Sequence, residues 1–187
     1  MGNHAPLLLF WVSPCVILVP FNLNLRGDIH MLDLYRPELE DLWFREAMMN
    51  DPDTMSYNHA WGGTIPFPKE TWEAWRRKWI EAEGNERYYR YLLHRKTKEF
   101  VGEAAYYLDR SKNIYMADII IYAKYRGKGY GGKGLELLCG AARDNGLSAL
   151  YDDIAVDNPS VHMFLRHGFT VDHQTDDFVT VKRVLSL

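Results

Sequence analysis

The chain has little that would tie it to a metal, a disulfide framework or a nucleic acid. Its 187 residues include only two cysteines, Cys15 and Cys139, in no ligand spacing. That excludes a disulfide-stapled scaffold and a zinc site built on paired cysteines, and no metal is expected. Cys139 falls on the apolar face of an expected helix and reads as a buried thiol, which suits a reducing, cytoplasmic compartment. Positive charge is not in excess: 22 Lys and Arg against 25 Asp and Glu give a net charge of −3. A protein that grips nucleic acid through a global basic field is therefore excluded. There is no internal repeat and no low-complexity tract. A P-loop is also missing, since no Gly-Lys-Ser/Thr occurs, and the Gly-x-Gly-x-x-Gly spacing of Gly127, Gly129 and Gly132 is by itself a weak signal.

Long apolar runs are equally scarce. Residues 5–21 form the only one, at the short limit for a membrane span. Pro6, Pro14 and Pro20 interrupt it, no basic residue flanks it, and the positive n-region of a signal peptide is absent. No membrane association is expected. Residues 1–30 read as an N-terminal extension, from a misplaced start or added sequence, with an extra strand or helix packed on the domain as the alternative. Residues 31–187 read as a single domain; 47% apolar and 25% charged residues are those of an ordinary globular core and surface.

What the chain does have is concentrated between residues 119 and 133. Ile119-Ile120-Ile121 is a β-branched run, Tyr122 to Gly129 a basic, glycine-rich turn, and Leu135, Leu138, Cys139 and Ala142 recur at helical spacing. A strand, a glycine turn and a helix start together form an anion site. Glycine allows the tight turn and close approach, and the unpaired N–H groups of the first helical turn point at the anion. Arg126, Lys128 and Lys133 add positive charge. The bland alternative is a strand–helix turn that is merely rich in glycine.

The rest of the chain alternates strand and helix. A strand is expected at 31–36, a helix after Pro37 and its following acids, and an irregular aromatic loop at 57–68, either a packed surface loop or part of a substrate pocket. A helix over 69–82 carries Trp72, Trp75 and Trp79 on one face, a core pattern. Strands at 87–93, 100–108 and 114–122 read as an antiparallel meander. A helix over 128–145 ends at Asn145-Gly146, and a strand at 149–156 should run parallel to 114–122 across that helix. A short helix follows at 159–167 with Asn158 as its N-cap, and a hairpin closes the chain.

Arg126-x-x-Gly129-x-Gly131 resembles the pyrophosphate loop of the GCN5-related N-acetyltransferase (GNAT) superfamily. Asp157-Asn158-Pro159-Ser160 through Phe164, Gly168 and Phe169 is similar to that superfamily's closing motif. The resemblance implies a mixed α/β fold, with a twisted, mostly antiparallel sheet, a splayed parallel strand pair and flanking helices. It implies acetyl-CoA as acetyl donor, held by Ile119, Ile121, Arg126, Gly127, Lys128, Gly129, Tyr130, Gly131, Gly132, Lys133, Asn158, Ser160 and Phe164. A backbone N–H between Ile119 and Tyr122 would polarise the thioester. The acceptor implied is a primary amine, with a small molecule favoured over a peptide; a non-catalytic acyl-CoA sensor is the rival reading.

An amine with a pKa near 10.4 is almost wholly protonated at pH 7, so a general base is needed. An acid in an apolar strand needs a reason to be there, or is simply an edge charge or an ion-pair partner. Asp118 ranks first as base and Glu103 second, with Asp152 and Asp153 further down on opposite faces of one strand. Phe164 departs from the superfamily pattern, which often has a tyrosine there as general acid. Tyr125, Tyr151 or Ser160 could donate instead, or the thiolate could leave unassisted. Free sheet edges leave room for a homodimer.

Overall fold

The computed structural model describes residues 31–186 apart from 83 and 85. The expectations for residues 1–30 lie outside the described residues. Seven strands form one mixed sheet: β1 Leu32–Tyr35, β2 Arg87–His94, β3 Phe100–Asp109, β4 Ile114–Ile121, β5 Ala149–Ala155, β6 Thr170–Gln174 and β7 Phe178–Val184. Their order is β1-β2-β3-β4-β5-β7-β6. Every neighbouring pair is antiparallel except β4 with β5. The helix between those two strands forces the exception, because a crossover returns the chain in the same direction.

Helices cover both faces. α3, Tyr130–Asp144, lays Leu135, Leu138, Cys139 and Ala142 on Leu92, Val101, Ala104, Tyr106 and Leu150, and α4, Ser160–Arg166, adds Phe164 to that core. On the opposite face α1, Trp43–Asn50, and α2, Trp72–Arg76, bury Phe44, Met48, Met49 and Trp72 against Tyr89, Tyr91, Ala105 and Ile120. Strand alternation sorts β3 and β4 between the two: Ala104, Tyr106, Ala117 and Ile119 go one way, Ala105 and Ile120 the other. Asp118 and Glu103 share the α1/α2 side with Ile120.

The expected helix over 69–82 is present but not uniform. It begins as a 3₁₀ turn, becomes α2 and ends as a π turn over Arg77–Glu81. Its three tryptophans pack as a core pattern should. Trp72 is buried, while Trp75 stacks near Trp79 with ring centroids 6.1 Å apart and meets Tyr89 edge-on at 4.7 Å. The segment expected as an irregular loop differs more. Thr54–Trp61 is a 3₁₀ helix closed by Gly62 in the left-handed region, and Phe67 is a core residue.

One departure from regular pairing matters for function. β4 and β5 share a single paired position, Met116 with Tyr151. Beyond it the strands separate, leaving residues 117–121 without a β5 partner.

Candidate active site

The separation opens a cleft of about 1010 Å³. Asp118 to Ile121 form one wall and Asp152 to Ala155 the other. The glycine turn and the start of α3 close one end, α4 supplies Met163 and Phe164, and Ser56, Tyr57 and His59 reach over from the 3₁₀ helix. Tyr57 and His59 thus give the aromatic segment its cleft-facing part, while Phe67 belongs to the core.

The glycine turn leaves a set of backbone donors without acceptors. Gly129 caps α3 with φ +80°, in the left-handed region that a side chain rarely adopts. No side chain caps the helix, and the first intrahelical bond runs from Lys133 N–H to the Gly129 carbonyl at 3.2 Å. The N–H groups of Tyr130, Gly131 and Gly132 therefore have no acceptor among the described residues, at the positive end of a fifteen-residue helix. Gly132 meets a different demand: a Cβ there would lie 2.4 Å from the His167 ring. His167 is itself held by the Met163 carbonyl, 2.8 Å from Nδ1.

Polarising N–H groups face the gap. Tyr122 N–H donates to the Val101 carbonyl at 3.1 Å, so it points at β3. Antiparallel ladders alternate, which turns the N–H groups of Ile119 and Ile121 away from β3, toward the missing β5 partner. The expectation for Tyr122 is corrected on this point. Its amide is occupied, its side chain is not part of the cleft wall, and Ile119 and Ile121 carry the free donors.

Four acids of the strands sort into two kinds. Glu103 is buried and accepts hydrogen bonds from both Arg45 and the Tyr89 hydroxyl, off the cleft wall. Arg45 in turn lies over the rings of Trp75, at 4.7 Å, and Phe67, at 5.3 Å. With both its oxygens engaged, Glu103 is no base for a substrate, which removes the second-ranked candidate. Asp153 is likewise committed, accepting from Thr180 Oγ1 at 2.6 Å and pairing with Lys112 at 2.8 Å. Asp118 and Asp152 face the cleft, and among the described residues neither carboxyl has a side-chain partner. Burial, and then the charge of Glu103, push Asp118 up to about 6, with Arg45 opposing. Burial, followed by the charges of Asp118 and Asp153, holds Asp152 well above the ordinary carboxylate range.

Most of the expected donor-binding residues converge on the cleft; Lys128 does not, its ammonium lying 5.4 Å from the Tyr125 ring. Arg126 is at the cleft but its guanidinium holds backbone, donating to the carbonyls of Asp53 at 2.9 Å, Thr54, and Ile121 at 3.2 Å. Together with Ala123 N–H donating to Thr54 Oγ1 at 2.9 Å, it ties the 3₁₀ helix to the glycine turn. Asn158 Oδ1 accepts from Ser160 N–H at 2.9 Å, but the N-cap of α4 is Pro159, one residue after the position expected. Phe164 is buried against Phe169 and shows only part of its ring to the cleft. No sequence signal marks Arg45, because its partner Glu103 is 58 residues away. His167 was also missed, although it lies inside the closing motif.

The site is a cleft between splayed parallel strands, with unpaired backbone N–H groups at one end and an unpartnered carboxyl at the other. The sequence model of the Acetyltransferase (GNAT) family matches residues 33–169, and the chain belongs to that family. Solved structures share the fold. A spermidine N-acetyltransferase from Vibrio cholerae in complex with CoA and spermine is 20% identical, with a TM-score of 0.70, covering 83% of this chain and 96% of that one. A phosphinothricin acetyltransferase from Sinorhizobium meliloti in complex with AcCoA is 17% identical, with a TM-score of 0.67, covering 83% and 89%. A search of curated proteins finds no match. Among the described residues no group of side chains could hold a metal ion, and no helix is long and apolar enough to cross a membrane.

Proposed function

We propose that the protein transfers an acetyl group from acetyl-CoA to the primary amine of a small molecule, both reactants meeting in the cleft. The observation that carries this reading is the continuity of the cleft. One open volume joins the unpaired N–H groups of α3, the free N–H groups of Ile119 and Ile121, and the Asp118 carboxyl. The residues present fit the donor. Tyr130, Gly131 and Gly132 would hold its pyrophosphate, with Lys133 adding charge, and β4 would receive the pantetheine arm in place of a strand. When bound, the donor supplies an activated acyl group on sulfur.

The chain's own residues do the rest. Ile119 or Ile121 N–H accommodates charge developing on the acyl oxygen, a fixed dipole needing no reorganisation. Asp118 takes the proton that the amine loses, and a pKa near 6 leaves it ionised at neutral pH while keeping it a usable base. Arg126 holds the 3₁₀ helix, and so Tyr57, over the reacting end. That roof and the acidic floor support a small cationic amine over a polypeptide, and the spermidine acetyltransferase among the similar structures agrees with such an acceptor. A cytoplasmic location and a homodimer paired through the free edge of β1 or β6 belong to the same reading.

Two measurements test it. Acetyl-CoA at about 100 times its Kd should stabilise the fold by about 2.7 kcal/mol. A panel of small amines should then contain at least one that releases free thiol from the donor. Stabilisation without thiol release for any amine would leave only an acyl-CoA sensor; neither effect would remove the acetyltransferase reading.

A further inference from the structure

The reaction proposed above leaves one proton unassigned. The sulfur that departs keeps the electron pair of the broken bond and needs a proton, and Phe164, at that end of the cleft, has none to give. Of the other candidates from the sequence, the Tyr125 hydroxyl donates to Glu99 at 3.0 Å, and Tyr151 lies off the cleft wall with its ring 5.2 Å from Lys182.

Two side chains of the cleft wall near Asp118 carry a proton acidic enough to transfer, Tyr107 lying off that wall and Ser160 being an aliphatic alcohol. One is Tyr57, on the 3₁₀ helix. The other is Asp152, on β5, the strand that faces the free N–H groups of β4 across the gap. Alternation places Asp152 on the same side of β5 as Leu150 and Ile154, both buried, while its neighbour Asp153 turns to Thr180 and Lys112. Asp118 comes from the α1/α2 side of the sheet, so the two carboxyls enter the gap from opposite faces. Resting on the acetyl-transfer reading, we propose that Asp152 is a second catalytic residue, a neutral carboxylic acid that protonates the leaving sulfur while Asp118 acts as base.

The balance closes within the pair. The cationic acceptor first gives one proton to solvent, and Asp118 accepts the second as the neutral nitrogen bonds to the acyl carbon. Asp152 gives its proton to sulfur as the carbon–sulfur bond breaks. The pair enters and leaves with one proton, moved from Asp152 to Asp118, and its return resets the site. Like charges in one poorly hydrated gap favour this shared state, because the second ionisation must occur beside the first. The charged and titratable groups around the pair are Glu103 and Tyr107 from β3, Arg45 from α1, Tyr57 from the 3₁₀ helix and Asp153 beside it on β5. Arg45 is the only cation among them, and it is bound to Glu103. Tyr57 is the weaker donor. Burial and the charges of Asp118 and Glu103 raise its phenol above the ordinary value of 10, so transfer to a thiolate of pKa about 8.5 would run uphill.

Titrating the whole protein without ligands, with aspartate labelled at the carboxyl carbon, reads the two protonation states directly by NMR. At pH 7 the Asp118 signal should report a carboxylate and the Asp152 signal a neutral acid. Asp118→Asn should lower the Asp152 midpoint by a unit or more. Asp152→Asn should leave the Asp118 midpoint nearly where it was, since a neutral acid exerts no charge. In kinetics, Asp152→Asn should lower kcat by about 10²-fold or more, with the donor KM within about threefold, and Asp152→Glu should recover part of it. Tyr57→Phe, in the roof over the acceptor, should lower kcat far less than Asp152→Asn does. An ionised Asp152 at pH 7, or a parental kcat in Asp152→Asn, overturns the assignment. So does a loss confined to Tyr57→Phe. A parent that releases no thiol with any amine overturns the acetyl-transfer reading and this assignment together.

Discussion

Glu103 and Asp118 sit on one face of the sheet as diagonal neighbours across β3 and β4, Asp118 lying opposite Ala105 and Glu103 opposite Ile120. They have opposite fates. Glu103 lies under α1, where Arg45 and Tyr89 satisfy it and the rings of Phe67 and Trp75 seal the pair from water. Asp118 lies on β4 at the gap, where the β5 partner is absent and no side chain pairs with it. A buried acid with partners is structure, because its charge is paid for by fixed donors. A half-buried acid without them holds a raised pKa and is available to a substrate. A step from β3 to the gap-lining β4 separates the two roles.

The comparison breaks hardest in activity. Asp118→Asn should lower kcat by about 10²- to 10⁴-fold while acetyl-CoA still raises the melting temperature. Removing the closed network should instead strike stability. Arg45→Met leaves Glu103 buried without its cation and should cost about 3–5 kcal/mol in denaturant unfolding. Replacing both partners by apolar residues of similar volume should recover most of that loss, and full recovery with normal donor binding would show the network to be structural only.

A smaller effect has the opposite sign. Asp118 binds its proton more tightly in the native state than in the unfolded chain. Below about pH 4 both states are protonated and nothing is gained or lost; as pH rises from about 4 to 6 the unfolded chain releases its proton first. Native stability therefore falls through that window, and Asp118→Asn should be more stable than the parent at pH 7 by roughly 1–3 kcal/mol, with no such gain at pH 3.5. An unchanged difference between the two pH values would show that Asp118 is not perturbed. Smallest should be the exposed pair of His59 Nε2 and Asp157, 3.3 Å apart across the mouth of the cleft. His59→Ala should change stability by less than about 1 kcal/mol, as expected of solvent-exposed ion pairs.

Much of the fold could be read from the chain before its coordinates. The strands of the meander, the helix after the glycine turn and the parallel β5 follow from apolar periodicity and from the rule that a crossover helix joins parallel neighbours. The glycine turn and the helix start after it were legible because they are local: Gly129, Gly131 and Gly132 act through the backbone of residues adjacent in sequence. The mixed helix over 69–82 and the 3₁₀ helix over 54–61 were not. The first packs Trp75 and Trp79 on Tyr89 and Tyr107, and the second is held by Arg126 and by Ala123 N–H, all from distant segments.

Asp118 could be nominated from sequence because a charge in an apolar strand is conspicuous. Its separation from Glu103 could not, since both stand out equally in one dimension. Arg45, 58 residues before Glu103, decides between them. The same holds for Arg126, expected beside a phosphate and found holding the carbonyls of residues 53 and 54. The sequence by itself determined the order of elements, the glycine turn and the residue types available to the site, because these depend on local backbone freedom and on periodic burial. Only the tertiary structure decided which acids are free and which are bound, because solvation and pairing depend on neighbours that the chain brings together from far apart.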